Sequence, residues 1–225
     1  MSERLLHNAH DAAPLPLPAL ARRAMAVGTR AYLRLYHRLH ITGRERIPDR
    51  GPVLLVANHA SHLDTVCLLA ALPLARLEHA YAAAVDDYFA AGVPHLAMRA
   101  LMIKGVPFAR GPYRRSSLAR CAALLADSDN VLVWFAEGTR TRTGELGAFR
   151  PGIGALAAGR PVAVVPCAVR GSFKAWPKGR ALPLPRTLSV SIGRPMFFAH
   201  FPRERGSYEA IAERVHEAVR ELLCT

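Results

Sequence analysis

The 225-residue chain has no run of about 18 apolar residues, so no segment of it is expected to span a membrane as a helix. Its first twenty residues hold acids and prolines rather than a basic patch ahead of an apolar core, so no secretory signal is expected. Cysteine is scarce. Residues 67, 121, 167 and 224 are scattered, with no C-x-x-C pair. That spacing argues against a zinc site or a disulfide framework and for buried thiols in a reducing compartment. Aromatic residues make up only 7% of the chain, and no nucleic-acid motif is legible, so base stacking is disfavoured. No G-x-S-x-G is present, so there is no serine-hydrolase elbow. Acids are missing over one long stretch: between Leu146 and Arg203 there is no Asp or Glu, yet nine Arg or Lys.

The net charge of +13 is carried almost wholly by arginine, since Lys104, Lys174 and Lys178 are the only lysines. Arginine forks match phosphate and carboxylate geometry, which favours anionic partners. A basic surface that serves only solubility is the simpler alternative.

Half of the residues are hydrophobic and the length suits one α/β domain. Residues 1–17, with "APLPLPAL", read as a loose, extended tail. Leu20 to His40 has helical periodicity. Arg23, Arg30, Arg34, His37 and Arg38 fall on one side, and Ala21, Met25, Tyr32, Leu35, Tyr36 and Leu39 on the other. Such a helix, placed within residues 18–44, either lies in a membrane interface or packs its apolar side on the protein's own core. Strands are predicted at Pro52–Ala57, within "HAYAAAV", at Asn130–Phe135, Pro161–Val169 and Leu188–Ile192. Helices are predicted at Thr65–Leu72, Arg114–Ala126, Ile153–Ala158 and Ser207–Leu223. Their alternation predicts a single α/β domain with a largely parallel, mixed sheet flanked by helices.

Polar chemistry is concentrated in "ANHASHLD", Ala57 to Asp64, between two apolar segments. His59 and Asp64 are five residues apart, about 140° on a straight helix, so they meet only if the chain turns a corner between them. A strand ending at Ala57 and a helix starting near Ser61 would make that corner. Asp64 would then fix one imidazole nitrogen and leave the other as a base for a hydroxyl proton. Ser61-x-x-Asp64 is equally a capping box, and Asn58 a plain turn residue. His59-x-x-His62-x-Asp64 lacks the further ligands of a metal centre, so no metal is expected.

Two further stretches bear charge beside glycines. "KGVPFARGPYRR", Lys104 to Arg115, reads as a tight loop whose arginines, at a helix start, suit an anion. "FAEGTRTRTG", Phe135 to Gly144, follows the strongest strand, where open α/β sheets bind ligands. "GIGALA", Gly152 to Ala157, is only a loose dinucleotide fingerprint: it follows a basic loop, and no acid stands about 20 residues on.

Taken in order, "NHASHLD", "GVPFAR", "FAEGTR" and "VVPCAV" resemble the four blocks of the glycerolipid acyltransferase family, typified by 1-acyl-sn-glycerol-3-phosphate acyltransferases. The resemblance covers about residues 45 to 200. It implies an acyltransferase domain at 45–225 that moves an acyl group from acyl-CoA or acyl carrier protein to a lysolipid hydroxyl, with no cofactor. It implies His59 as general base, Asp64 as its orienter and Arg110 as a ligand of the acceptor phosphate. Glu137, Gly138, Thr139 and Arg140 would bind the glycerophosphate head, and Pro166 would support the acyl-donor region. Ala136 stands where the family usually has proline, which would loosen that turn. Implied partners are the donor, the lysolipid and a membrane surface, with no nucleic acid. The implied location is the cytoplasmic face of the inner or plasma membrane, held peripherally. A different lysolipid acceptor, or a non-catalytic basic binding module, is the alternative.

Overall fold

A computed structural model describes residues 19–85, 104–108, 114–126 and 129–225. Residues 1–17 and Arg110, both named above, lie outside the described residues.

Apolar runs with β-branched residues make the central strands. β2 (Val53–Ala57), β5 (Val131–Trp134) and β6 (Ala163–Arg170) are buried almost throughout, as strands covered on both faces must be. Around them lie β1 (His40–Thr42), β3 (Ala80–Val85), β4 (Lys104–Phe108) and β7 (Ser189–Ile192). Among the described residues the sheet has seven strands in the order β1-β7-β6-β2-β5-β3-β4. Only the β6–β7 pair is antiparallel. The expected largely parallel, mixed sheet is thus the observed one. The Lys104 stretch is a correction. Gly105 and Pro107 suggested a loop, but Lys104–Phe108 pairs in parallel with β3.

Alternate residues of β2 point to opposite faces. Val53, Leu55 and Ala57 join Leu68 and Leu72 of the α2 region (helix Leu63–Ala71) and Leu33 of α1 (Ala19–Tyr36) in one core cluster. Leu54 and Val56 join Cys121 of α4 (Arg114–Leu124), Ile153 and Leu156 of α5 (Gly152–Ala157) and Val215 of α7 (Arg205–Cys224) in the other. The short helices α3 (Leu74–Leu77) and α6 (Ser172–Ala175) lie between these elements in sequence. Cys67, Cys121 and Cys167 are free and buried, while Cys224 is exposed. Burial pushes the Cys121 thiol up to about 12.

Much of the positive charge is bonded to the fold itself. Arg44 donates to the carbonyls of Ala71 (2.6 Å), Leu72 (2.9 Å) and Ala70 (3.1 Å), closing the C-terminus of α2. Arg30 donates to the same Leu72 carbonyl. Arg170 does likewise at the end of α7, on Leu222 and Leu223. A helix C-terminus carries orphan carbonyls and partial negative charge, so a guanidinium fits there. Arg44→Met is therefore expected to cost about 1–2 kcal/mol, discounted for the exposure of Arg44. Thermal unfolding should read this as a Tm loss of about 2–6 °C; an unchanged Tm would contradict the clamp.

Of the two placements expected for α1, packing of the wheel's apolar side on the core is not the one observed. Leu33 and His37 are fully buried and Arg30 is half-buried. Leu35, on the apolar side of the wheel, is 80% exposed, and Tyr32 and Tyr36 are exposed with it. Arg30 can turn inward because a backbone carbonyl, that of Leu72, accepts from it. His37 finds a partner on each ring nitrogen, the Tyr32 hydroxyl and the Arg186 carbonyl, both at 3.2 Å. No described helix is long and apolar enough to cross a membrane.

Candidate active site

The site gathers where β2 and β5 end, beside β6. β2 turns out of the sheet at Asn58, whose side chain donates to the Val169 carbonyl (2.9 Å) and accepts from the Val169 N–H (2.8 Å). This two-point clamp on β6 fixes the start of the corner. His59 follows, and helix α2 begins at Leu63. The corner inferred from the five-residue spacing is present, and His59 Nδ1 lies 3.1 Å from Asp64 Oδ2.

Asp64 is fully buried. Its Oδ2 also accepts from the backbone N–H groups of Ala60 and Ser61, both at 2.7 Å. Ser61 Oγ accepts from the Leu63 N–H and donates to the Trp176 carbonyl. The carboxylate therefore ties down the turn and the imidazole together, so capping and orienting are one arrangement. His59 stacks on Phe135 with ring centroids 3.8 Å apart and planes at 12°. With Nδ1 turned to Asp64, Nε2 is the nitrogen left to face a substrate. The side chain is 17% exposed.

The turn after β5 is stitched to the first stretch. Glu137 Oε1 accepts from the His59 N–H (2.7 Å) and Oε2 from the Gly147 N–H (3.0 Å). The Thr141 N–H donates back to the His59 carbonyl (2.8 Å). Glu137, expected on the head group, thus has both oxygens on backbone donors. A Cβ at Gly147 would lie 2.8 Å from Glu137 Oε2, which explains the glycine there. Burial pushes the Glu137 carboxyl up to about 7; the two N–H donors oppose this, and Asp64 adds to it. For a carboxyl raised in this way, the stabilising contribution is full below its ordinary value near 4.5 and is lost as pH rises through about 7.

Gly138 has φ +74°, and a Cβ there would meet the Arg150 side chain at 3.0 Å. Its N–H closes the turn on the Phe135 carbonyl. Thr139 is exposed on the same turn. Arg150 ties this turn down: the Ala136 carbonyl accepts from the Arg150 N–H (2.9 Å), and Arg150 Nε donates to the Glu137 carbonyl (3.2 Å).

Arg140 Nη1 donates to His62 Nε2 at 2.6 Å, and the His62 ring lies 5.2 Å from that of Trp176. Burial, then the charges of Arg140 and His59, push His62 down to about 4, with Asp64 opposing. His62 is therefore a neutral acceptor for the Arg140 guanidinium. Neither this role nor the Asn58 clamp was found from sequence, because each partner lies 78 or more residues away. Pro166 is buried in β6 opposite Val56, and its carbonyl accepts from the Gly193 N–H (2.8 Å). Among the described residues, no group of three or more His, Cys, Asp or Glu is placed to hold a metal ion.

The arrangement offers an oriented imidazole, an arginine bonded to His62 on the same corner and an exposed turn at Gly138 and Thr139 that carries this arginine. The family model described as Acyltransferase matches residues 38–170. A chloroplast 1-acyl-sn-glycerol-3-phosphate acyltransferase of Arabidopsis thaliana is 32% identical over 147 residues, 64% of this chain and 39% of the relative. One of Brassica napus, also chloroplastic, is 31% identical over 147 residues, 64% of this chain and 40% of the relative. The chain thus spans about two fifths of the length of these curated relatives. In fold it is similar to the crystal structure of the 1-acyl-sn-glycerophosphate acyltransferase PlsC from Thermotoga maritima. The TM-score is 0.69 at 22% identity, over 91% of this chain and 80% of that one.

Proposed function

The chain belongs to the Acyltransferase family, and from that membership we propose that it transfers a fatty acyl group to the free hydroxyl of a lysolipid. The acceptor in this reading is 1-acyl-sn-glycerol-3-phosphate and the product phosphatidic acid, as the names of the curated relatives suggest. The donor is acyl-CoA or acyl carrier protein. The observation that carries the reading is the His59–Asp64 pair, 3.1 Å apart, beside the half-buried Arg140.

In this mechanism His59 Nε2 takes the hydroxyl proton as the oxygen attacks the thioester carbonyl. Asp64 holds Nδ1–H and stabilises the imidazolium that forms. The tetrahedral intermediate collapses, the carbon–sulfur bond breaks, and the thiolate takes the proton back from His59. No metal or organic cofactor enters the scheme. Arg140, on the turn of Gly138 and Thr139, receives the phosphate, with Arg110 as a second ligand. Glu137 acts through the backbone it holds, and Pro166 supports the donor side. Residues 18–44 serve as an interfacial anchor for the domain at 45–225, on the cytoplasmic face of a membrane.

The test is a panel of lysophosphatidate, lysophosphatidylcholine and a lyso-ornithine lipid, each offered with both donors and read by product mass. Lysophosphatidate is expected to react at least about tenfold faster, the effect of one charged contact of about 1.4 kcal/mol. An equal rate with the phosphate-free lyso-ornithine lipid would remove the phosphate assignment, and no transfer to any acceptor would remove the activity.

A further inference from the structure

The sheet topology brings two distant segments to the edge that carries His59. β6 runs parallel to β2, so both end at that edge. β7 runs antiparallel to β6, and β1 parallel to β7, so both start there. The chain from 171 to 188 and the end of α1 therefore share the edge with the site. They are joined to one another: the Tyr36 hydroxyl donates to the Pro183 carbonyl (3.1 Å), Arg38 Nε to Thr187 Oγ1 (3.1 Å), and the Leu188 N–H to the His37 carbonyl (3.0 Å). Internal bonds hold the loop as well. The Leu184 N–H donates to the Ala175 carbonyl, and Trp176 Nε1 to the Arg180 carbonyl, both at 2.8 Å.

This fixed surface presents apolar side chains outward. Leu182 is 74% exposed, and Leu184 is exposed beside it. Tyr32, Leu35 and Tyr36, spaced three and four apart, form one exposed arc at the end of α1. Around them Arg34, Arg38, Lys178, Arg180 and Arg186 are all exposed. Both contributing segments lie in stretches without any acid, residues 12–44 and 146–203. Leucines and tyrosines ringed by cations complement an anionic lipid interface. The same ring of one sign opposes pairing with a second copy of this chain.

We infer that the 177–187 loop and the last turn of α1 form one docking surface for an anionic lipid bilayer, on the sheet edge that carries the active site. The loop begins at Trp176, whose carbonyl accepts from Ser61 and whose ring meets His62. The docked face and the site thus share a wall, and an amphiphile leaving the bilayer reaches His59 without crossing bulk water. That consequence for delivery rests on the acyl-transfer reading; the docking does not.

The test uses the full chain in two forms, Leu182→Ser/Leu184→Ser and Lys178→Glu/Arg180→Glu/Arg186→Glu. Co-sedimentation is measured with vesicles of phosphatidylcholine, alone or with about one third phosphatidylglycerol. Each cation near an anionic surface is worth roughly fivefold in partitioning. The charge variant is therefore expected to lose at least about tenfold on the anionic vesicles only, and the leucine variant about tenfold on both. Transfer to a short-chain acceptor dispersed as monomers should be unchanged in both. Vesicle affinity within twofold of wild type would overturn the inference. So would equal loss of the monomeric reaction, or a change of oligomeric state without a change in vesicle binding. If no form transfers acyl groups yet vesicle affinity falls as stated, the docking surface stands and the acyl-transfer reading falls.

Discussion

Replacing His59 with alanine is expected to slow acyl transfer by about 10² to 10⁴-fold at saturating substrates, the usual worth of a positioned general base. The fold should survive, because the side chain is partly exposed and its ring contacts chiefly Phe135. Asp64 separates the chemical role from the structural one. Asp64→Ala removes the acceptor of three donors, the N–H groups of Ala60 and Ser61 and the imidazole, so both Tm and rate should fall. Asp64→Asn keeps an oxygen for the turn but removes the negative charge that balances an imidazolium. Its Tm loss should be small, since the cap costs about 1 kcal/mol when lost entirely. Its kcat should still fall on the order of 10²-fold or more. An Asp64→Asn enzyme within threefold of the wild-type kcat would reduce Asp64 to a helix cap.

What was legible in the sequence is what depends on local pattern. The continuous apolar runs of β2, β5 and β6 announced strands buried on both faces, and their alternation with amphipathic helices announced a largely parallel sheet. The five-residue spacing of His59 and Asp64 required a corner, and the chain makes one. The misread parts depend on partners far along the chain. Gly105 and Pro107 suggested a loop because neither favours a strand, but the neighbouring β3 supplies the ladder. The partners of Arg30 and Arg44 stayed hidden because they are backbone carbonyls at the end of α2, which no side-chain pattern reveals. The donors that hold Glu137 were hidden for the same reason: they are the backbone N–H groups of His59 and Gly147.

"GIGALA" is only a loose dinucleotide fingerprint; its second glycine answers a packing demand, and the consequence is large. A Cβ on Gly154 would fall 2.3 Å from Tyr208 Cα and 2.4 and 2.7 Å from the Tyr208 carbonyl oxygen and carbon. These are backbone atoms of α7, so no rotamer change relieves the clash. Helix α7 would have to move away from α5, and Ile211, Ala212 and Val215, all buried in the core beneath it, would move too. Gly154→Ala is therefore expected to cost about 3 kcal/mol or more, at the upper end of overpacking, and to lower Tm by about 6–12 °C. Gly152, two residues earlier, is the internal control. A Cβ there would find only Leu118 and Trp134 side-chain atoms at 3.4 and 3.5 Å, which is ordinary contact. Gly152→Ala should leave Tm within a few degrees, since alanine gains about 0.5–1 kcal/mol of helix propensity over glycine. Thermal unfolding of the two variants decides the matter. Equal Tm values would mean that the close approach of α5 and α7 does not limit this position.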